Sequence, residues 1–325
     1  MNEQNHARTR IPIFFACDNN YIPYLAVTLA SIDAHASDEY DYEAFILTEG
    51  FCEQKLNKLF GMPLTHVKIR TVDVSHRITH IRERLSSTLR DYYSVSIFYR
   101  LFIPDLFRGL DRAIYLDCDI DLNDDKANLN YMDIGDNILG VITDETIAPI
   151  GAFRDYTEKV IGTPPGKYFN SGVLLINAKA FREEKIEEKF IYLLNKYNFR
   201  TVAPDQDYLN FLCADRVFYL DAGWNKMPHK SSNFDTRYLH LVHYNMFEKP
   251  WRYNGVTYSE LFWNAAKKTP FYDDINAEYD GYSNDMRKRD QLGAEKLLRA
   301  AEDITESKCS FAHVIRACEL EEVAL

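Results

Sequence analysis

The segment Ala113-Ile114-Tyr115-Leu116-Asp117-Cys118-Asp119-Ile120-Asp121 constrains this chain more than any other stretch. A strand-like apolar run stops abruptly in carboxylates at alternate positions. Successive side chains of a strand point to opposite faces, so Asp117 and Asp119 are expected to leave the strand end on the same side. Carboxylates that close repel one another unless a cation sits between them. A hard divalent ion such as Mg²⁺ or Mn²⁺, already carrying phosphate oxygens, suits such a pair. The competing reading is a strand that runs into an acidic turn, which Asn123-Asp124-Asp125 keeps open.

Other apolar runs end in the same manner. Ile11-Pro12-Ile13-Phe14-Phe15-Ala16-Cys17 runs into Asp18-Asn19-Asn20-Tyr21, and Leu241-Val242 ends in His243-Tyr244. Between them the periodicity alternates. Pro23 can open a helix with Leu25, Thr28, Leu29 and Ile32 on one face. Ala44 to Leu47 reads as a strand, Glu53 to Phe60 as a short helix, Val67 to Thr71 as a third strand, and Tyr93 to Phe102 as an aromatic, buried helix leading to the strand at 113–117. Further strands are expected at Leu139–Ile142, Ser171–Asn177, Val217–Leu220 and Tyr238–Val242. A helix follows through Ile186, Phe190, Leu193, Leu194 and Tyr197, and another through Tyr208, Leu209 and Phe211 with Asp205 as its cap. This order predicts an α/β, Rossmann-like, mostly parallel sheet with helices on both faces. Ligands of such sheets gather at the carboxyl ends of strands, where Asp18, Asp117 and His243 fall. No glycine-rich dinucleotide fingerprint or phosphate loop occurs, which argues against a dehydrogenase or a P-loop enzyme.

The net charge of −11 argues against nucleic acid as a partner, since phosphate neutralisation needs a basic surface. The six cysteines contain no CxxC pair and are expected as reduced thiols, small and easily packed where Cys17 and Cys118 flank the candidate site. No apolar stretch approaches the roughly 18–20 residues that span a bilayer, and the polar N-terminus does not read as a signal peptide. A cytoplasmic protein is the expectation.

Six blocks, in order over roughly residues 11–255, resemble glycosyltransferase family 8, the retaining nucleotide-sugar transferases that include lipooligosaccharide galactosyltransferases and glycogenin. They are Phe15–Tyr21, Tyr99-Arg100-Leu101, Tyr115–Asp119, Phe169–Asn177, Asp205-Gln206-Asp207, and His243-Tyr244 through Lys249-Pro250-Trp251. The resemblance implies a GT-A fold over residues 1–255 and a UDP-sugar donor, UDP-galactose or UDP-glucose. The acceptor would be a glycan, glycolipid or glycoprotein. It implies Mn²⁺, or Mg²⁺, held by Asp117, Asp119 and His243 with Cys118 between the carboxylates; a nitrogen ligand tilts the choice towards Mn²⁺. Lys249 would meet the departing diphosphate. Asp18 and Asn20 would contact uridine, with Tyr21 stacked on the base, although a strand-to-helix turn also wants such polar residues. Arg100 would reach donor sugar and phosphate, and Asn170, Asp205 and Gln206 would hold the transferred sugar. Gln206 falls at the reactive face, but a neutral amide is a poor nucleophile. Asp207 is the nearest carboxylate, and an adjacent helical side chain points about 100° away. Front-face displacement is therefore favoured over a covalent intermediate. Asp144 is a candidate acceptor contact. Between His243 and Lys249 many relatives carry a glycine, whereas this chain has Asn245-Met246-Phe247-Glu248, a departure that bears on the acceptor pocket.

Residues 256–325 lie outside the resemblance and read as a mainly helical extension, with a pattern through Leu297, Leu298 and Ala301. Arg287-Lys288-Arg289 offers weak peripheral contact with anionic lipid, although three basic residues among Asp and Glu also suit a solvated helix face. Two other classes stay open: a metal-dependent phosphohydrolase or nucleotidyltransferase, which would not need Asp205-Gln206-Asp207, and a nucleotide-sugar-binding protein without turnover.

Overall fold

The apolar run at Thr9–Ala16 (β1) divides by side-chain alternation: Ile11, Ile13 and Phe15 join one hydrophobic cluster and Phe14 joins another. A strand buried on both sides must lie inside a sheet covered by helices. The computed structural model, which describes residues 8–84, 94–125, 127–229, 234–307 and 309–316, has that arrangement. With β2 (Tyr40–Thr48), β3 (Val67–Asp73), β4 (Arg112–Leu116), β6 (Leu139–Thr143), β7 (Phe169–Asn177) and β8 (Val217–Tyr219), β1 forms a seven-stranded sheet in the order β3-β2-β1-β4-β7-β6-β8. β7 runs antiparallel to both its neighbours and the other pairings are parallel. A second, two-stranded antiparallel sheet joins β5 (Ile120–Leu122) to β9 (Leu241–His243).

Helix α1 (Ile22–Ala34) carries Pro23 in its first turn, where no N–H is required, and buries Leu25, Thr28, Leu29 and Ile32. Helix α2 (Glu53–Phe60) falls where the periodicity places it. The aromatic segment departs from expectation. Val95–Phe102 is a 3₁₀ run whose first turn is capped by the Ser94 side chain, followed by a single α turn at Ile103–Leu106 with Pro104 in its first positions; Tyr93 lies outside the described residues. The strand expected over Tyr238–Val242 is also shifted: Thr236–Tyr238 forms a 3₁₀ turn capped by Asp235, and β9 starts at Leu241.

The C-terminal residues fold back onto the sheet layers. Phe262, Ala265 and Ala266 of the helix at Ser259–Ala266 share the first cluster with Tyr244 and Trp251. A long helix, Asn284–Thr305, places Leu297, Ala301 and Ile304 in the second cluster beside Tyr156 of the short helix Gly151–Tyr156. Burying Leu297 and Ile304 stabilises this docking by about 1.5–3 kcal/mol each. Leu298, expected on the same face, is only half-buried. Among the described residues no helix is long and apolar enough to cross a membrane.

Helix α1 also shapes the chain beyond β4. The buried Thr28 hydroxyl lies 2.7 Å from the Ile120 carbonyl and 3.0 Å from that of Cys118. Replacing Thr28 by Val keeps the shape but leaves these carbonyls without that donor. The expected cost is about 1–3 kcal/mol of stability in denaturant unfolding, with Thr28→Ser costing less. A Thr28→Val protein as stable as the parent would contradict the assignment.

Candidate active site

Two β-ladders bring the acidic segment and the histidine together. From one side, Gly172 of β7 accepts the Asp117 N–H at 2.8 Å, extending the β4–β7 pairing by one residue. From the other, β5–β9 register sets Ile120 against His243, and the Tyr244 N–H donates to the Asp119 carbonyl at 2.9 Å. The chain bends at 118–119 rather than continuing as a strand, so the convergence of the two carboxylates comes from this bend and not from simple alternation. One ligand atom each from Asp117, Asp119 and His243 lie within 4.8 Å of one another. His243 Nε2 is 3.3 Å from Asp119 Oδ1 and 3.6 Å from Asp117 Oδ2.

The supporting contacts suit a divalent cation. His243 Nδ1 lies 2.8 Å from Asn225 Oδ1. The Asn225 amide donates to Asn170 Oδ1 at 2.9 Å, and that oxygen also accepts the Gly172 N–H. This chain makes Asn225 Oδ1 the acceptor, puts the imidazole proton on Nδ1, and leaves the Nε2 lone pair facing the carboxylates. Gly172 keeps the space open. A Cβ there would meet His243 Cε1 at 2.3 Å and Asp117 Oδ2 at 2.6 Å. Two carboxylate oxygens and one imidazole nitrogen around such a gap form a donor set that fits Mn²⁺ or a related ion.

Cations balance the remaining charge. Lys249 Nζ sits 2.5 Å from Asp119 Oδ2 and also donates to the Tyr244 carbonyl, so it grips the metal-ligand candidate itself. Burial would push the Asp119 carboxyl up, but the Lys249 ammonium beside it holds it below the usual range. Arg100 is buried over the Tyr115 ring at 4.2 Å, with Nη2 3.0 Å from Asp117 Oδ1 and Nε 3.1 Å from Asp205 Oδ2. Those carboxylates outweigh its burial and keep it cationic. Asp205 also accepts from the Ser171 hydroxyl at 2.9 Å, while burial pushes its carboxyl up.

A cavity of about 340 Å³ joins this cluster to Gln206, and Asp18, Tyr21, Arg100, Asp117, Cys118, Asp119, Asn170, Asp205, Gln206, His243 and Lys249 all line it. Gln206 Oε1 accepts from the Ser171 N–H at 3.0 Å, and its amide donates to Asp144 Oδ2 at 3.1 Å. Asn170 donates to the same Asp144 oxygen and to Gln206 Oε1, each at 3.2 Å. Hydrogen bonds therefore run from His243 through Asn225 and Asn170 to Gln206. Tyr21 packs edge-on against Tyr24, which stacks on Trp251 at 3.9 Å. Asp18 Oδ1 accepts the N–H groups of Asn20 and Tyr21, which gives it a turn-forming role as well.

Asn20 is exposed and lines a neighbouring cavity of about 430 Å³, which shares Tyr21 with the one that holds Gln206. Two expectations are corrected by position. Asp205 does not cap helix α6 (Pro204–Leu212, labelled after α3 at Ser75–Arg84, α4 at Gly151–Tyr156 and α5 at Ile186–Lys196, with single-turn and other short helices left unlabelled); the cap is Ala203. Asp207 instead accepts the Val202 and Ala203 N–H groups at 3.1 Å, along with the Tyr156 and Tyr168 hydroxyls at 2.7 and 2.6 Å. Fully buried, with its carboxyl pushed up to about 7 by burial, it is outside the lining of the cavity and has no face turned to a sugar. The catalytic expectation for Asp207 does not fit this placement. Of the cysteines, Cys17, Cys52, Cys118, Cys213 and Cys309 are free, and Cys318 lies outside the described residues.

Sequence reasoning missed Asn225, Ser171 and Tyr115. Tyr115 donates to Asp117 Oδ1 at 2.7 Å, and its position two residues before Asp117 on one strand was a usable signal. Asn225 sits in a 3₁₀ turn far from any motif and gives none.

The sheet order, the single reversed strand and the carboxylate–histidine cluster at the strand ends define a GT-A glycosyltransferase. Residues 12–255 match the model of glycosyl transferase family 8, and the chain belongs to that family. It is 25% identical over 268 residues to general stress protein A of Bacillus subtilis, covering 74% of this chain and 87% of that one. Over 283 residues it is 24% identical to a lipopolysaccharide 1,2-glucosyltransferase of Escherichia coli, covering 81% and 79%. The galactosyltransferase LgtC, solved with donor and acceptor sugar analogues, superimposes with a TM-score of 0.63 at 26% identity, covering 80% of this chain and 96% of that one. The bifunctional glycosyltransferase WbbM superimposes with a TM-score of 0.70 at 22% identity, covering 86% of this chain, which spans about half (53%) of WbbM.

Gly172→Ala tests the cradle. Its methyl group would displace His243 or Asp117, so Mn²⁺ binding followed by electron paramagnetic resonance should weaken at least tenfold in a folded protein. Unchanged Mn²⁺ affinity would show that the cluster does not hold the ion.

Proposed function

We infer that this chain moves a hexose, galactose or glucose, from a UDP-sugar to a glycan, lipopolysaccharide-type or glycoprotein acceptor, with retention at the anomeric carbon. The observation that carries the reading is one cavity lined by Asp117, Asp119, His243 and Gln206, with hydrogen bonds running from His243 through Asn225 and Asn170 to Gln206. The names of two relatives, a lipopolysaccharide glucosyltransferase and a galactosyltransferase, support hexose transfer. Catalysis is assigned to residues 1–255, with 256–325 as a helical extension.

Asp117, Asp119 and His243 would hold Mn²⁺, which the imidazole nitrogen favours over Mg²⁺, and the bound ion would neutralise charge on the diphosphate. Lys249, beside Asp119, places a second positive charge where the leaving group builds up negative charge. Tyr21 offers its ring to the uracil base, and Asp18 and Asn20 offer polar groups to the nucleoside. Arg100, anchored by Asp117 and Asp205, presents a rigid guanidinium to the donor sugar and phosphate. Asn170, Asp205 and Gln206 hold the sugar hydroxyls, and Asp144 stands beside them towards the acceptor. With Asp207 enclosed by four donors, front-face displacement is favoured: the leaving phosphate takes the acceptor proton while Gln206 steadies an oxocarbenium-like centre. The exposed Arg287, Lys288 and Arg289 suit a cytoplasmic enzyme in weak contact with anionic lipid.

The test is release of sugar to water from UDP-galactose and UDP-glucose in the presence of Mn²⁺. The parent should release one of them, and Gln206→Ala should lower kcat by roughly ten- to a thousandfold, up to about 4 kcal/mol, with little change in UDP-sugar affinity. A protein that binds a UDP-sugar tightly but neither hydrolyses nor transfers it would be a binding protein instead.

A further inference from the structure

Tyr21 lines two cavities, the one that holds Gln206 and the neighbouring one of about 430 Å³. A ring bordered by open space is not fixed by close packing alone, so its orientation rests on the few groups that touch it. Tyr24 is one of these, its ring meeting that of Tyr21 edge-on at 5.4 Å. Tyr24 is buried, stacks on the fully buried Trp251 and donates its hydroxyl to Glu278. Arg252 lines the smaller cavity with Tyr21 and has Nε 3.1 Å from Glu278 Oε1. Burial and Asp119 push the pKa of the Tyr21 hydroxyl up, and the positive charge of Arg252 opposes them. Tyr24 and Arg252 therefore both end on one carboxylate.

That carboxylate belongs to the helix Tyr272–Gly281, beyond the residues 12–255 that match the family. The helix is anchored independently of Glu278. Ile275 is buried in the first cluster, and Asp274 pairs with Lys58 of α2 at 2.8 Å. Just past the helix, the Tyr282 hydroxyl donates to Asp290 at 2.6 Å, and Tyr253, next to Arg252, donates to the same oxygen at 3.0 Å. The Glu278–Arg252 pair is part-exposed and contributes little stability of its own. Its effect is on direction, because it keeps the Tyr24 ring and the guanidinium in fixed places around Tyr21. A side chain already held when a ligand arrives loses less rotamer freedom on binding. We propose that Glu278 is a positioning residue for the nucleoside end of the donor site, acting through Tyr24 and Arg252 to hold the Tyr21 ring for stacking on the base of a uridine nucleotide. This rests on the reading of Tyr21 given above, and it gives the C-terminal extension a part in donor binding.

The experiment is calorimetric titration of UDP, and separately of pyrophosphate, into the full chain in the presence of Mn²⁺. Four proteins are compared: the parent, Tyr21→Ala, Glu278→Ala and the double variant. Tyr21→Ala should weaken UDP binding about fivefold or more, the low end for a base stacked on an aromatic ring. Glu278→Ala should weaken it about threefold or more, and that loss should vanish in the Tyr21→Ala background, because residues that act through one another are not additive. Pyrophosphate carries no base, so Glu278→Ala should leave its affinity unchanged. Glu278→Gln, which keeps one acceptor oxygen, takes the place of Glu278→Ala if that protein does not fold, with a smaller loss that again requires Tyr21. UDP affinity equal to the parent's in the folded Glu278 variants would overturn the inference. So would an equal loss with and without Tyr21, or a loss of pyrophosphate binding alongside that of UDP. A Tyr21→Ala protein that binds UDP as the parent does would instead remove the stacking reading itself, and this inference with it.

Discussion

Electrostatic crowding at the end of β4 is the constraint on which the site depends. Asp117, Asp119 and the Nε2 lone pair of His243 point into one small space. At these separations two like charges repel by about 4 kcal/mol at a protein-like effective dielectric. Lys249 and Arg100 relieve part of this, each from one side, yet Arg100 is shared with Asp205. The backbone holds the groups there regardless, through the β4–β7 and β5–β9 ladders and the Thr28 hydroxyl beneath the bend. A fold that spends so many hydrogen bonds to keep anions together is prepared for a cation.

The same hydrogen bonding reaches Gln206. The bonds from His243 through Asn225 and Asn170 to Gln206 fix three amides in one orientation. Gln206 is thereby aimed by the same network that orients the metal-ligand candidate. Asp207, its neighbour, turns the other way and closes the start of helix α6 by accepting the Val202 and Ala203 N–H groups. The helix thus presents an amide to the cavity and keeps the carboxylate inside the core.

Much of this was legible in the sequence, for a physical reason. Asp117, Asp119, His243 and Gln206 sit at the ends of apolar runs or at the start of a helix, where short patterns reveal position, whereas Lys249 lies in an irregular segment and was marked by the family resemblance. The α/β alternation, the helices at Ile22–Ala34 and Glu53–Phe60, and the mostly parallel sheet followed from periodicity. The 3₁₀ run at Val95–Phe102 did not, because apolar spacing over eight residues does not separate a 3.0- from a 3.6-residue turn. Nor did the exchange of roles between Asp205 and Asp207, which depends on which carboxylate reaches the free N–H groups. Asn225 and Leu297 come to the site only through tertiary packing.

The account's central claim is that Asp117, Asp119 and His243 hold a divalent ion through which the chain grips a nucleoside diphosphate. Calorimetric titration of UDP into the protein, once with Mn²⁺ and once after thorough chelation, tests it most directly. The account predicts that chelation weakens UDP binding at least tenfold, about 1.4 kcal/mol or more. UDP affinity that is the same with and without the ion would contradict it.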